Sequence, residues 1–275
     1  QKHRIKILCN YDMVKLISAE FWNNLMRSVL LYKLKLLLYF RKLSKLNKHR
    51  TLVKINEDYE DGVWSRNHDP TSIISMYEGE GDRQELMVEG NHLFFGNIQE
   101  KYPQYLNQII DNLKQYKHEK IVELGCGKGG LLFELNKNGF NSLQGFDLSK
   151  NAIKTAKNFA VKNDINIDFE VLDITKKIPN LDDSIIITHT CLEQLKNYMP
   201  VVIKNMINAN PKLVINFEVD YENCSYFQKK YMDSKDFQNN LITELINHKI
   251  KIIKREKFNF GLKYLNQPSV TIWKP

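Results

Sequence analysis

The sequence predicts an α/β fold, a three-layer α/β/α sandwich around a seven-stranded, mostly parallel sheet with an antiparallel last strand. Three observations lead to this prediction. Short apolar runs alternate with helical segments from residue 120 onward. The first runs show no polar alternation, as expected for parallel strands that helices cover on both faces. No helix separates the last two runs, so the final strand is expected to return antiparallel.

The elements follow in chain order. A helix at 103–118 is expected to lead into the first strand. The strands are predicted at 120–124, 143–147, 168–172, 184–189, 212–218, about 250–259 and about 269–273. The helices are predicted at 129–138, 149–162, 192–208 and about 225–247. These spacings provide the right-handed helical crossovers that consecutive parallel strands need.

Two segments are expected, residues 1–100 as a basic helical arm followed by an acidic gate or lid, and residues 101–275 as the ligand-binding domain. Residues 1–54 carry 13 basic and 2 acidic side chains, whereas residues 55–100 carry 2 basic and 11 acidic ones. The acidic part is rich in turn formers and is either a gate over a substrate or a long connector. The two segments either neutralise each other or leave a basic surface exposed.

The basic arm contains a predicted amphipathic helix over residues 11–48. Its apolar face consists of Trp22, Leu25, Met26, Val29, Leu30, Leu34, Leu37 and Leu38. Three uses remain open for this helix: a helical cap on the core domain, peripheral contact with an anionic membrane, and contact with nucleic acid. The apolar run at 29–40 is too short to span a bilayer, and lysines interrupt it.

The four cysteines are widely spaced, with no pair or histidine cluster at zinc-ligand spacing. They are Cys9, Cys126, Cys191 and Cys224. Reduced thiols in a cytoplasmic protein without a metal site are the simplest expectation.

A glycine turn between a buried strand and a helix is the most informative motif. Gly125, Gly127 and Gly129 alternate after Glu123, where the backbone must fold tightly and admit a ligand. Gly125, Gly127 and Gly130 also satisfy the G-x-G-x-x-G pattern of dinucleotide-binding folds. The turn alone therefore leaves two cofactor classes open.

Three further matches make residues 103–275 resemble the class I, Rossmann-like, S-adenosylmethionine-dependent methyltransferases of small-molecule type. Besides the E-x-G-x-G-x-G turn, these are Asp147 after the second strand, Asp173 after the third, and the run from Thr188 to Leu195 after the fourth. The resemblance implies S-adenosylmethionine as cofactor, with S-adenosylhomocysteine as product. The expected cofactor-binding residues are Glu123, Gly125, Cys126, Gly127, Gly129, Asp147, Leu148, Asp173, Ile174 and His189.

Charge favours this cofactor over a dinucleotide. Ligands of open parallel sheets lie above the carboxyl ends of the strands, where Asp147 can accept the ribose hydroxyls. Asp173 can accept from the adenine amino group, and Glu123 can hold an ammonium but would repel a pyrophosphate. Alternatively, Asp147 and Asp173 are helix N-caps or turn formers.

His189 is the candidate catalytic base, since it ends the fourth strand and faces the crevice. The alternative is that it only lines the cofactor pocket. Glu193 is expected to orient it or to cap the next helix. Tyr77 and His92, in the acidic segment, are further candidate substrate residues.

Missing motifs disfavour several classes of methyl acceptor. The chain has His189-Thr190-Cys191-Leu192 where base-amino methyltransferases usually carry N/D-P-P-Y/F, and no cysteine follows a proline as in cytosine-C5 enzymes. The acidic and amide ligands of metal-dependent catechol-type enzymes are also lacking.

The expected function is a metal-independent transfer of methyl to an oxygen of a small polar metabolite or a surface-glycan (capsule-type) precursor. The alternatives are an RNA methyltransferase that grips RNA with the basic arm, an N-methyltransferase of a small amine, and a non-catalytic cofactor-binding subunit. A cytoplasmic location is expected, with the inner membrane surface as an alternative through residues 11–48. Oligomeric state stays open.

Overall fold

The computed structural model describes residues 51–57, 60 and 84–275, together with single helical positions at 25, 28–29, 32–33 and 35–36. In this part of the chain the strands are β1 Gln84–Glu89, β2 His92–Asn97, β3 Lys120–Leu124, β4 Leu143–Asp147, β5 Asp168–Val171, β6 Ser184–His189, β7 Leu213–Glu218, β8 Lys251–Lys257, β9 Phe260–Gly261 and β10 Ser269–Lys274. The helices are α1 Leu52–Glu57, α2 Ile98–Leu113, α3 Gly130–Lys137, α4 Lys150–Lys162, α5 Met199–Asn208, α6 Tyr226–Lys235 and α7 Leu241–Asn247.

The large sheet confirms the predicted fold class. Its seven strands lie in the order β5-β4-β3-β6-β7-β10-β8. Strands β3 to β7 pair in parallel, whereas β10 pairs antiparallel with both β7 and β8. The carboxyl ends of β3, β4, β5 and β6 therefore meet along one edge, where a ligand is expected.

Helices cover both faces of this sheet. On one face, α2, α3 and α4 pack their apolar sides on the sheet around the buried Phe133 and Phe169. On the other, α5 and α7 pack around Val122, Ile186 and Val214. Strand side chains such as Ile121 and Val122 are fully buried toward opposite faces, which explains the uninterrupted apolar runs in the sequence.

A second, three-stranded sheet takes two of its strands from the segment predicted to be an acidic gate and the third, β9, from Phe260–Gly261. Its order is β2-β1-β9, and β1 and β2 form an antiparallel hairpin. The hairpin turns at Gly90, whose φ is +55°. β9 lies between β8 and β10 in the chain and pairs with the end of β1, so the β1–β2 hairpin is attached to the connection between the two C-terminal strands of the large sheet.

Three helix predictions need correction. The helix predicted at 103–118 begins at Ile98, because the Asn97 side chain accepts hydrogen bonds from the N–H groups of Gln99 and Glu100, and it ends at Leu113. The helix predicted at 192–208 begins only at Met199, after two 3₁₀ turns. The helix predicted at 225–247 is two helices, because Asp236 adopts a left-handed conformation with a φ of +57° and ends the first.

Little of the predicted N-terminal helix lies in the described part of the chain. Of its predicted apolar face, Leu25 and Val29 are described, are helical, and are 40% and 44% exposed. The remaining positions of that face, like Tyr77, lie outside the described residues. Among the helices that the structure describes, none combines the length and the apolar character required to cross a membrane.

Candidate functional site

A cavity of about 380 Å³ lies above the carboxyl ends of β3, β4, β5 and β6. Nearly all of the residues predicted to bind a cofactor line it. They are Glu123, Gly125, Cys126, Gly127, Asp147, Leu148, Asp173, Ile174 and His189. Gly129 does not line this cavity; it is the left-handed residue before α3, and a Cβ there would lie 2.7 Å from the Phe169 ring.

The glycine turn is required first by packing within the protein. Gly125 has a φ of +78°, and a Cβ on it would lie 2.1 Å from the Sγ of Cys191. The N–H groups of Gly125 and Cys126 both donate to the carbonyl of Phe146, at 2.7 and 2.9 Å. The turn is thereby fixed between β4 and the loop after β6, which carries Cys191.

Asp147 forms the turn that the sequence offered as one of its two roles, and it also lines the cavity. Its Oδ2 accepts a hydrogen bond from the N–H of Gly127 at 2.8 Å, and its Oδ1 accepts one from Ser149 at 2.8 Å. Burial raises the pKa of Asp147, while these two hydrogen bonds act in the opposite direction. Each carboxylate oxygen keeps a second lone pair, so the group can hold the turn and accept ribose hydroxyls at once.

Asp173 also forms a local turn at the cavity wall. Its Oδ1 accepts hydrogen bonds from the N–H of Thr175 at 3.0 Å and from the Thr175 hydroxyl at 2.6 Å. Lys176 lies 3.6 Å from Oδ2 in an exposed ion pair. Leu172 and Ile174, on either side of Asp173, give the same wall two apolar side chains.

Glu123 is an almost completely buried carboxyl at the end of β3, only 2% exposed. Its Oε2 has no hydrogen-bond partner among the described residues. Burial raises its pKa well above the usual value, and Asp147 and Glu218 add to the effect. A buried carboxyl with an unused oxygen at the cavity wall suits a cationic group, which is the chemistry of the methionine ammonium.

His189 lies at the end of β6 and contacts a residue that the sequence reasoning did not assign to the site. Its Nε2 is 2.8 Å from the hydroxyl of Tyr105, on α2. Burial lowers the pKa of His189 from 6.5 to about 4, so the ring is neutral at physiological pH. Tyr105 is buried on the apolar face of α2, and a tyrosine on such a face gives no sign in the sequence that its hydroxyl reaches a distant histidine.

Glu193 lies in the 3₁₀ turn Leu192–Gln194 and lines the cavity. It does not cap α5, which begins at Met199, because that expectation assumed a helix starting at 192. Its Oε2 accepts a hydrogen bond from Asn266 at 2.8 Å, and its Oε1 accepts one from Gln194 at 3.1 Å.

The structure does not bring His92 to the cavity: it is exposed at the start of β2, on the hairpin. Several residues that do line the cavity were missed. They are Leu52, Ile55, Asn56, Tyr102, Tyr105, Phe237, Leu262 and Asn266. They come from four distant segments, and none belongs to a motif of its own. Within the described residues, no cluster of His, Cys, Asp and Glu has the arrangement of a metal site.

The loop after β6 is held by a buried acid outside the cavity lining. Oε1 of Glu218, at the end of β7, accepts hydrogen bonds from the N–H groups of Cys191 and Leu192 at 3.0 and 3.1 Å. Thr190 has a φ of +49°, which is unfavourable for a β-branched residue. The Glu218 contacts therefore stabilise the strained loop that places His189, Cys191 and Glu193 along one wall.

Parts of the chain are similar in sequence to known methyltransferases. The chain is 36% identical over 70 residues to phosphoethanolamine N-methyltransferase 3 of Arabidopsis thaliana, which covers 26% of this chain and 14% of that protein. It is 25% identical over 191 residues to an rRNA adenine N-6-methyltransferase of Limosilactobacillus reuteri, covering 62% of this chain and 78% of the relative. The chain thus spans about one seventh of the first of these relatives.

Two solved structures share the fold. The PH0226 protein of Pyrococcus horikoshii is 19% identical, with a TM-score of 0.51 over 64% of this chain and 91% of that one. Magnesium protoporphyrin IX methyltransferase of Synechocystis, with bound S-adenosylhomocysteine, is 13% identical, with a TM-score of 0.50 over 65% of this chain and 85% of that one.

A family described as "Methyltransferase domain" matches residues 115–258, which is more than half of the chain and includes strands β3 to β8. The cavity fits the cofactor of such enzymes, because it offers a buried carboxyl oxygen of Glu123 without a partner among the described residues and the carboxylate of Asp147 above the strand ends. The chain belongs to this family of Rossmann-like, S-adenosylmethionine-dependent methyltransferases.

Proposed function

We propose that this methyltransferase transfers its methyl group, without a metal, to an oxygen of a small polar metabolite, with surface-glycan (capsule-type) precursors as one such class. The observation that carries the proposal is the pair of His189 and Tyr105 in the cavity, 2.8 Å apart, beside the glycine turn. A hydroxyl acceptor must lose a proton as it gains the methyl group, and a neutral imidazole is the group best suited to receive it.

The positions of these side chains in the cavity support our assignment of the cofactor residues. When bound, S-adenosylmethionine supplies a methyl group already activated by a positively charged sulfur. We assign its ammonium to Glu123, its ribose hydroxyls to Asp147, and its adenine to Asp173, Leu148 and Ile174. Gly125, Cys126 and Gly127 present the backbone of the turn, and Gly129 supports it from behind.

His189 is useful in its neutral form for two reasons. A protonated imidazole would repel a sulfonium in the same cavity, and it could not accept a proton. Its pKa of about 4 makes it a hydrogen-bond acceptor over the physiological range, although a weak proton acceptor. The contact of Tyr105 with Nε2 fixes the orientation of the ring. We therefore assign the other ring nitrogen, Nδ1, to the hydroxyl of the methyl acceptor.

N-methylation of a small amine is the second candidate. The buried Glu193 lies in the same cavity as Tyr231 and Phe237, a combination that suits a positively charged or amine-bearing acceptor. Phosphoethanolamine N-methyltransferase 3, one of the relatives, is by name an N-methyltransferase. A neutral amine needs no base, so in that case His189 would only line the pocket.

RNA is the third candidate acceptor. The rRNA adenine N-6-methyltransferase relative and the basic residues 1–54 favour it, whereas the His189-Thr190-Cys191-Leu192 sequence departs from the base-amino motif. A non-catalytic binding subunit would bind the cofactor and methylate nothing.

The acceptor can be tested with S-adenosylmethionine carrying an isotopic methyl label, offered with sugars and polyols, with small amines, and with RNA. We expect label on an oxygen of a small molecule, and a fall of about 100-fold or more in turnover for His189→Asn. Unchanged S-adenosylhomocysteine affinity in that variant, by calorimetry, would separate catalysis from cofactor binding. Label on nitrogen or on RNA would contradict the oxygen proposal, and wild-type protein that binds no cofactor would contradict the whole assignment.

The cytoplasm is the compartment we propose, since Cys126, Cys191 and Cys224 are free thiols in the described part of the chain. Peripheral membrane contact through residues 11–48 stays a proposal, as does the division of the chain at residue 100.

A further inference from the structure

We infer that residues 51–57 and Glu60, which lie outside the matched methyltransferase domain, complete the cofactor site of this chain by covering its adenosine end, with Asn56 as a direct contact. This inference rests on the proposed cofactor site. It adds a binding segment that neither the glycine turn nor the two aspartates predict.

The segment is held against the domain at two places. At one end, the N–H of Leu52 donates to the hydroxyl of Tyr198, at 3.4 Å. At the other, Oε1 of Glu60 accepts a hydrogen bond from the N–H of Lys150 at 2.6 Å, and both carboxylate oxygens lie within 3.4 Å of the N–H of Asn151. A carboxylate at the N-terminus of the 13-residue helix α4 is also favoured by the helix dipole.

Apolar packing places the short helix α1 between these two attachments. Ile55 is 7% exposed and belongs to the same buried cluster as Phe146 and Ile174. Leu52 packs on that cluster beside Leu172. The two aliphatic side chains of α1 thus face the cavity wall formed by the residues around Asp173.

This position corresponds to the adenosine end of the proposed site. Glu60 contacts the start of α4, directly after Asp147 and Ser149, where the ribose is assigned. Ile55 shares a buried cluster and the cavity lining with Ile174, where the adenine is assigned. These contacts place α1 and Glu60 over the adenosine half of the proposed site. They do not cover the half near Glu123, where the ammonium is assigned.

Asn56 supplies the polar group that an apolar cover lacks. Its side chain lines the cavity, and its buried Oδ1 has no hydrogen-bond partner among the described residues. A buried amide oxygen without a partner is unfavourable, and a donor on the ligand removes that penalty. The adenine amino group and the ribose hydroxyls are the donors at this end of the cofactor.

The experiment uses the full chain and S-adenosylhomocysteine as the probe. Calorimetry compares wild type with Asn56→Ala and with Lys54→Ala, a change on the exposed side of the same helix. We expect affinity to fall about three- to tenfold for Asn56→Ala, the usual effect of losing one neutral hydrogen bond, and to stay unchanged for Lys54→Ala. Thermal unfolding of each protein without ligand shows whether the variants fold as the wild type does.

Hydrogen–deuterium exchange of the wild type gives a test that needs no variant. We expect S-adenosylhomocysteine to protect residues 52–57 together with the glycine turn and the start of α4. 5′-Methylthioadenosine, which lacks the amino-acid part, should protect residues 52–57 as well.

The outcomes distinguish this inference from the proposed function. If S-adenosylhomocysteine protects the glycine turn but not residues 52–57, and Asn56→Ala binds as tightly as wild type, the inference is wrong while the cofactor site stands. If 5′-methylthioadenosine binds without protecting residues 52–57, these residues do not cover the adenosine end, and the inference is wrong. If wild type binds neither ligand, the cofactor site itself is wrong.

Discussion

The hydroxyl of Tyr105 lies 2.8 Å from Nε2 of His189, and the two residues are 84 positions apart in the chain. Tyr105 belongs to α2, which precedes the first strand of the large sheet, whereas His189 ends the strand next to it. A helix outside the alternating part of the fold therefore fixes the orientation of the candidate base.

The low pKa of His189 predicts a loss of stability in acid. The unfolded chain binds a proton near pH 6.5 and the folded chain only near pH 4, so stability is full above pH 6.5 and falls as the pH drops toward 4. The fall attributable to His189 is at most about 3 kcal/mol. Urea unfolding of wild type and His189→Gln from pH 4 to 7.5 measures it. An equally steep fall in both proteins would show that His189 is not its source.

The raised pKa of Glu218 predicts that stability falls as the pH rises, opposite to the effect of His189. Burial raises its pKa from 4.5 to about 8, so the folded chain holds a proton that the unfolded chain has released. Its contribution to stability is therefore lost as the pH rises from 4.5 to 8. Glu218→Gln keeps an oxygen for the N–H groups of Cys191 and Leu192 but cannot ionise. Relative to wild type, this variant should gain stability between pH 5 and 8.5 in thermal unfolding; a constant difference would refute the prediction.

Gly125→Ala should damage both folding and cofactor binding. The positive φ costs about 1–2 kcal/mol in any L-residue, and the collision with Cys191 adds about 1–3 kcal/mol. Gly139→Ala is the matched control, because its φ is +82° but its Cβ would meet only the flexible end of Lys117. We expect the control to lose stability without losing S-adenosylhomocysteine affinity. Equal affinity in both variants would mean that the turn geometry does not matter for binding.

The ion pair between Arg255 and Asp220 predicts a further stability effect. The guanidinium donates to both carboxylate oxygens, Nε to Oδ2 at 2.6 Å and Nη2 to Oδ1 at 2.7 Å, and Asp220 is buried. Arg255→Lys keeps the charge but loses the two-pronged geometry, so we expect a destabilisation of about 1–3 kcal/mol in urea unfolding. An unchanged free energy of unfolding in Arg255→Lys would mean that the two-pronged geometry is unimportant.

The positions of several strands, and the two aspartates that follow strands at the cavity, were predictable because both depend on short stretches of sequence. The strands β3, β4 and β6 have the predicted bounds. Asp147 and Asp173 follow their strands directly, and topology alone brings them to one edge.

The rest of the site depends on contacts between distant segments. Tyr105, Asn56 and Asn266 reach the cavity from segments that carry no motif, and their positions follow from tertiary packing. The break of the 225–247 helix at Asp236 also escaped prediction, because an aspartate tolerates either conformation. The hairpin of β1 and β2 was hidden by the acidic, turn-rich composition around it.

The contact of Gly125 with Cys191 has a consequence for engineering this enzyme. The glycine turn packs closely against the loop that follows the candidate base, so a larger side chain at either place would displace the other. Grafting a loop from another methyltransferase to change the acceptor requires a side chain no larger than cysteine at position 191. A bulkier residue there would displace the glycine turn, and a change intended for acceptor choice would weaken the binding of the methyl donor.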